Sequence, residues 1–224
     1  MGGAEAWVRE YAADVLAMLA SVSFVAVYYA VLLARTRRDR TSSIHGVNEL
    51  ARSLWVRSVM GTAGKDVMAV QTLRNFIMGA SLMATTSAFL ILGALTLTGQ
   101  AENISRSWHV TSLFGSSSAE LWILKVMCLL ADFIVAFFAF AMAIRLANHV
   151  VFMVNVPGPE AHPMLSPEAV ARRLNRAGSH YAAGMRAFFF AVPLVFWLFG
   201  PLFLVIASAG LVYALGRLDR TDTV

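Results

Sequence analysis

The residue that could most readily do chemistry is an aspartate, Asp132, which interrupts the apolar stretch 121–146. It lies eleven residues into that stretch, which is about 16 Å along an α-helix. A carboxylate at that depth in a bilayer costs a few kcal/mol unless it is paired, hydrated or protonated. We therefore expect Asp132 either to carry an ion or proton at a cavity, or to fix helix packing through hydroxyl groups of a neighbouring span. The hydroxyls of the preceding apolar stretch that could serve belong to Ser81, Thr85, Thr86 and Ser87.

Two further charged residues, Lys125 and Asp14, lie close to the predicted outer boundary of the membrane, where a lysine can extend to the headgroups. They are predicted to form an ion pair between the first and third apolar stretches. Lys125 precedes Asp132 by seven residues, so the two share a helix face but lie about 10 Å apart along its axis. We therefore expect them to share a polar stripe rather than to pair directly.

Histidines are the next candidates, because a neutral imidazole is a common ligand of metals and haem. His149 directly follows the third apolar stretch and is the strongest haem or metal candidate, with His45 second. The chain contains neither HxxxH nor HExxH spacing, and no apolar stretch contains a histidine. A haem or metal site is therefore the less favoured alternative, and no cofactor is expected.

Arginines stand at the start of two apolar stretches, Arg74 before the second and Arg186 before the fourth. The simple interpretation is anchoring of the spans by positive charge on the cytoplasmic side. The alternative is a site for an anion or a lipid headgroup between helices. Further residues that would contribute to such a site are Arg172, Arg176 and His180.

The elements that must position these residues are membrane helices. Hydrophobic residues make up 58% of the 224 residues and charged residues 14%, whereas soluble chains average roughly 25% charged residues. A span needs roughly 20 apolar residues, and four continuous stretches meet this length: 12–34, 76–98, 121–146 and 187–215. The sequence predicts an all-α, four-helix membrane bundle that forms one domain over residues 1–224. The net charge of +5 lies in loops beside the spans, which argues for anionic lipid and against nucleic acid as a partner.

Orientation follows from the lysines and arginines between the spans. The opposite side carries only Arg9, Arg106, Arg217 and Arg220, while the first and third loops carry Arg35, Arg37, Arg38, Arg40, Arg52, Arg57, Lys65, Arg74, Arg145, Arg172, Arg173, Arg176 and Arg186. The two basic loops are therefore predicted to be cytoplasmic. Both termini are then non-cytoplasmic, in a multi-pass protein of the cell (inner) membrane.

Both cytoplasmic loops are predicted to contain a short amphipathic helix. In the first, Val47, Leu50 and Leu54 recur at helical spacing. In the second, Ser166 caps a helix that begins at Pro167 and is expected to lie along the membrane.

The fourth apolar stretch is interrupted by Gly200 and Pro201 and contains Pro193. A proline removes a hydrogen bond inside a helix, so a kink is expected.

Three segments together resemble a known family. They are HGVNELARSLWV at 45–56, VQTLRNFIMGASLMATTS at 70–87 and NRAGSHYAAGMRAFFFAVPLVFWLFGP at 175–201. These segments resemble the domain-of-unknown-function 599 family of bacterial and plant membrane proteins, over nearly the whole chain. The resemblance implies a multi-pass membrane protein and implies no particular chemistry.

Enzymatic activity is not expected, because no nucleophile–base pair, glycine-rich phosphate loop or metal signature stands out. The favoured function is an oligomeric small pore or carrier for ions or small solutes. The alternative is an accessory or lipid-binding scaffold subunit of a larger membrane complex, and an electron-transfer subunit with haem or quinone is less favoured. The expected partners are membrane lipids, including anionic lipids, and either further copies of the chain or other subunits.

Overall fold

The computed structural model describes residues 2–38, 43–100, 118–156 and 162–219. These residues form α-helices and one short 3-10 helix, Pro163–Leu165, so the predicted all-α class is confirmed. The α-helices are α1 (Gly2–Arg38), α2 (Ile44–Met60), α3 (Asp66–Gly99), α4 (Ala119–Val154), α5 (Pro167–Phe199) and α6 (Pro201–Leu218).

The number of helices that can span a membrane is five rather than four within the described ranges. The first three predicted spans lie inside α1, α3 and α4. The fourth predicted span, 187–215, is divided between α5 and α6, which meet at Gly200. The predicted count of four spanning helices is therefore not confirmed for this part of the chain.

The division at Gly200 is a reversal of chain direction and not a kink. Leu204, near the start of α6, packs with Ala17 and Trp197, whereas Asp219, just after α6, contacts Arg186. The helix α6 therefore runs back along α5. Gly200 has φ 150° and ψ 160°, a conformation that glycine adopts readily because it has no Cβ. Pro201 then opens α6, where its missing N–H leaves no helical bond unmade.

The reversal also changes the position of the C-terminus. We call the end of the bundle that holds Arg186 and Asp219 the basic end, and the end that holds Gly200 the far end. The helix α1 begins near the far end, where Tyr11 bonds Ser118, whereas α6 finishes at the basic end. The first and last described residues, 2 and 219, therefore lie at opposite ends of the bundle. The side of a membrane on which each terminus lies stays a prediction. Arg217, in the last turn of α6, therefore lies at the basic end and not on the side to which the sequence analysis assigned it.

The second amphipathic segment is part of a span. Ser166 caps α5 as predicted, since its hydroxyl accepts a hydrogen bond from the N–H of Ala169 at 3.3 Å. The helix then continues without interruption through Pro193 to Phe199. Because it is continuous with a span, this segment does not form a separate helix along the membrane surface, and that prediction was wrong.

The helices α3, α4 and α5 are 34, 36 and 33 residues long, which is about 50 Å each and exceeds a bilayer core of about 30 Å. Their excess length lies at the basic end, where α2 packs against them. The shared core there comprises Val56, Val59, Ala69, Leu73, Val150, Met153, Val154, Val170, Ala171 and Leu174. The predicted stripe of α2, formed by Val47, Leu50 and Leu54, faces away from this core and is exposed.

Close packing of α4 on α5 fixes the centre of the bundle. Gly184 of α5 lies against the ring of Phe140, which is fully buried, and a Cβ on Gly184 would approach that ring to 2.7 Å. Small residues such as Ala136 and Ala187 complete the contact and let the backbones approach. The helix α1 packs mainly on α6 instead, and a cavity lies between α1 and the α4–α5 pair.

Candidate functional site

Asp132 lines this cavity, which has a volume of about 490 Å³. We call it the Asp132 cavity. Helices α1, α4 and α5 form most of its wall, and Ser43, His45 of α2 and Asp219 line it toward the basic end. Its lining residues are Tyr29, Leu32, Ser43, His45, Asp132, Val135, Ser179, Ala182, Ala183, Arg186, Ala187, Phe190 and Asp219.

The carboxyl group of Asp132 is incompletely partnered. Its Oδ2 atom is buried and has no hydrogen-bond partner among the described residues. Two of the hydroxyls expected to hold it bond their own helix instead: Thr86 donates to the carbonyl of Leu82 and Ser87 to that of Met83, both at 2.9 Å. The packing interpretation of Asp132 therefore lacks the hydrogen bonds on which it depended.

Arg186 and Asp219 form an ion pair in the wall of the cavity. The Nη2 atom of Arg186 lies 3.2 Å from Oδ2 of Asp219, and the hydroxyl of Tyr28 donates to the same oxygen. The guanidinium also lies over the ring of Tyr29, at 5.6 Å from its centroid. The charge of Arg186 is thus directed to a carboxylate and a ring within the bundle, rather than to the anion or lipid headgroup considered from the sequence.

These charges make the cavity acidic. Two carboxylates and one guanidinium line it, so it carries one net negative charge when both acids are ionised and His45 is neutral. Because Arg186 and Asp219 offset each other, the uncompensated charge is that of Asp132. A positively charged or hydrogen-bond-donating species would remove the cost of holding that charge away from water.

A second polar cluster lies at the far end. Lys125 and Asp14 form the ion pair that the sequence predicted, with Nζ 2.8 Å from Oδ1. Trp197 of α5 donates its indole N–H to the same oxygen at 2.8 Å, and its ring lies 5.4 Å from the lysine nitrogen. Asp14 and Lys125 are almost completely buried. The cluster therefore joins α1, α4 and α5 in one contact.

Polar residues connect the two clusters along the buried face of α1. Asp14, Ser21 and Tyr28 are spaced seven residues apart and are all buried, which places them on one helix face. Ser21 has a buried hydroxyl oxygen with no partner in the described part of the chain. Lys125 and Asp132 follow the same spacing on α4. Sequence analysis missed Ser21 and Tyr28, although this seven-residue spacing would have found them.

A comparison with known protein families shows to which family the chain belongs. A family model described as "Protein of unknown function, DUF599" matches residues 16–224. The chain belongs to the DUF599 family. The resemblance noted in three segments of the sequence is therefore confirmed over nearly the whole length. No curated protein and no solved structure matches this DUF599 chain.

Other contacts of the DUF599 chain hold α2 in place at the basic end. Arg52 donates its Nε–H to Oδ1 of Asn175 at 2.8 Å, and the amide nitrogen of Asn175 donates to Ser53 at 3.0 Å. Gly178 leaves room for the guanidinium, since a Cβ there would lie 2.6 Å from Cζ of Arg52. Burial lowers the pKa of Arg52, and the charge of Glu49 partly opposes that shift. The polar face of α2 thus docks on α5.

The remaining basic candidates do not converge on one site. Arg172 and Arg176 are exposed on α5, and His180 is half-buried. Arg74 lines a separate groove of about 410 Å³ with Asp66 and Asn155.

The two histidines proposed as ligands lie in different environments. His45 lines the Asp132 cavity, whereas His149 is exposed on α4. The described residues contain no group of three His, Cys, Asp or Glu side chains that could hold a metal ion. A haem or metal site in this DUF599 protein therefore stays a prediction without a ligand cluster to support it.

Proposed function

We propose that the protein is a small membrane carrier that moves protons or small cations, and that Asp132 is the group that binds them. The observation that supports this proposal is the buried Oδ2 atom of Asp132, which lines a cavity of about 490 Å³ and has no hydrogen-bond partner in the described ranges. An unpaired carboxyl group is expensive in lipid, and ionisable residues at such positions often mark ion or proton pathways. A bound cation or proton would remove that cost.

Polar groups lie on both sides of Asp132 along the bundle. Toward the far end, Lys125 is about 10 Å away along α4 and is paired with Asp14. Toward the basic end, the cavity wall contains Arg186, Asp219 and His45. This series lies within one chain, so the proposed path does not require an oligomer. The sequence analysis had favoured an oligomeric pore or carrier. Oligomerisation is retained as a separate proposal.

The basic end is proposed to face the cytoplasm. Most arginines and lysines of the chain belong to the two loops at that end, and such loops are usually cytoplasmic. The Asp132 cavity would then lie nearer to the cytoplasm, and α1 would begin on the other side of the membrane.

An accessory or lipid-binding role is the second candidate. It is favoured by the exposed apolar stripe of α2, where Val47, Leu50 and Leu54 are 38%, 51% and 55% exposed. A stripe of this kind on a helix at the membrane end is typical of contact with the lipid interface or with a partner helix.

Flux in proteoliposomes separates the two candidates. Proton movement is followed with a trapped pH-sensitive dye, first under a potassium–valinomycin potential and then after external addition of sodium or tetramethylammonium ions. We expect wild type to move protons in at least one condition and Asp132→Asn not to do so. Glu168→Gln is the matched control, since Glu168 is an exposed carboxylate paired with Arg57 at the surface. Equal flux in wild type and Asp132→Asn, or no flux under every condition, would favour the accessory role.

A further inference from the structure

From the size, lining and charge of the Asp132 cavity, we infer that its ligand is a small lipophilic organic ammonium ion, which competes with a proton for Asp132. The inference rests on the proposed role of Asp132 as the cation-binding group. It adds the chemical class of the ligand and the exchange of that ligand for a proton.

The cavity is much larger than a bare ion requires. One water molecule takes up roughly 30 Å³ in the liquid, so about 490 Å³ corresponds to on the order of fifteen waters. Sites for small organic ligands usually measure roughly 300–1,000 Å³. The cavity therefore has the dimensions of a site for an organic molecule.

The wall of the cavity is chemically suited to an apolar cation. Most lining side chains are aliphatic or aromatic, including Leu32, Val135 and Ala187. The rings of Tyr29 and Phe190 lie side by side, with their centroids 6.2 Å apart. Aromatic faces attract ammonium groups, most strongly where water is excluded. Because the guanidinium of Arg186 already lies over the ring of Tyr29, Phe190 is the aromatic side chain that would contact a ligand. An apolar wall with that ring and the unpaired carboxylate of Asp132 fits a lipophilic ammonium.

The charges around the cavity favour a monocation over an anion or a dication. The charged and titratable groups that line it with Asp132 are Arg186 from α5, Asp219 from the end of α6, His45 from α2 and Tyr29 from α1. Arg186 is held by Asp219, and Asp219 also accepts the hydroxyl of Tyr28. A single unpaired carboxylate is left, which matches one positive charge.

The exchange is balanced in charge and atoms. When the ammonium enters a cavity whose Asp132 is protonated, the carboxyl O–H bond breaks and the proton passes to water. The carboxylate that forms stays beside the ammonium. One proton is thus released for each cation bound, and the apparent affinity falls tenfold for each unit by which pH is lowered below the range in which free Asp132 is ionised.

Isothermal titration calorimetry of the purified full chain in mild detergent tests this inference with benzyltrimethylammonium, whose charge does not depend on pH. Benzyl alcohol serves as the neutral probe, benzenesulfonate as the anionic probe and sodium chloride as the inorganic cation. We expect binding of benzyltrimethylammonium alone, weakening as pH is lowered. Repeating the titration in buffers of different ionisation enthalpy measures the released proton.

Variants locate the binding. Asp132→Asn should weaken binding of benzyltrimethylammonium at least tenfold, and Phe190→Leu should weaken it severalfold because one aromatic face is lost. Glu168→Gln should bind as wild type does. Absence of binding to wild type, equal binding of the neutral or anionic probe, or unchanged binding in Asp132→Asn would overturn the inference.

The outcomes also separate this inference from the proposed function. If benzyltrimethylammonium does not bind but proton flux still depends on Asp132, the organic ligand is wrong and the carrier stands. If it binds at Asp132 but no flux depends on that residue, the site stands and the carrier is wrong.

Discussion

Lys125 lies with its Nζ atom 2.8 Å from Oδ1 of Asp14, and both side chains are more than nine-tenths buried. This contact ties α1 to α4, two helices that otherwise touch little because α1 packs mainly on α6. The pair thereby sets the far end of the gap between α1 and α4, and the Asp132 cavity occupies that gap nearer the basic end.

Replacing one partner of this ion pair should destabilise the protein more than replacing both partners. Asp14→Asn leaves the ammonium of Lys125 buried without a counter-charge, which costs about 3–5 kcal/mol for buried pairs. The double variant Asp14→Asn, Lys125→Met should recover part of that loss, since no buried charge then stays unpaired. Thermal unfolding in detergent measures both. A double variant at least as unstable as the single one would show that the loss does not come from an unpaired buried charge.

The close contact of α4 and α5 predicts that a larger residue at Gly184 lowers the stability of the protein. Gly184→Ala would bring a Cβ to within 2.7 Å of the ring of Phe140, which is fully buried between Tyr181 and Phe188. Overpacking of this kind costs about 1–3 kcal/mol. Gly79→Ala on α3 is the control, because a Cβ there meets nothing within 4 Å and alanine should be neutral or stabilise the helix by up to about 1 kcal/mol. Equal unfolding temperatures for the two variants would contradict the packing described.

The reversal at Gly200 predicts which sites share a side of the membrane. In a Cys128→Ala background, single cysteines at Leu218 and at Thr62 should react with a membrane-impermeant maleimide from the same side, and a cysteine at Gln100 from the other side. All three positions are exposed. Labelling of Leu218→Cys together with Gln100→Cys would restore the four-span topology.

The sequence was sufficient for most of the helices and for one of the two polar clusters. Asp14 and Lys125 lie at the same depth of two apolar stretches, so their pairing follows from depth alone. The reversal was not predicted because 187–215 is apolar throughout, and a glycine followed by proline is compatible with a kink. The length of this stretch was the available signal: its 29 residues would extend over about 43 Å, well beyond a bilayer core of about 30 Å.

The surroundings of Asp132 could not be predicted from the sequence. Arg186 and Asp219 are 33 residues apart and meet only because α6 returns along α5. Once the fourth span was taken as a single helix, Asp219 belonged to a tail at the end of the bundle opposite to Arg186. The cavity is thus a product of tertiary packing and carries no local sequence pattern.

The ion pair in the cavity wall should influence cation binding through charge. Asp219→Asn removes the partner of Arg186 and leaves a positive charge beside the cation site, so Asp132-dependent flux should fall severalfold. The double variant Asp219→Asn, Arg186→Gln removes that charge and should recover part of the flux. The measurement is the same dye assay in proteoliposomes. A double variant that is no better than Asp219→Asn would show that the pair acts through structure rather than charge.

The most direct measurement compares proton flux in proteoliposomes containing wild type, Asp132→Glu or Asp132→Asn at equal protein content. Asparagine keeps the shape of the aspartate without its acid, whereas glutamate keeps the acid on a side chain that is one methylene longer. The account predicts measurable flux for wild type and Asp132→Glu, and at least a tenfold loss for Asp132→Asn with unchanged elution from a sizing column. Flux in Asp132→Asn equal to that of wild type would contradict it.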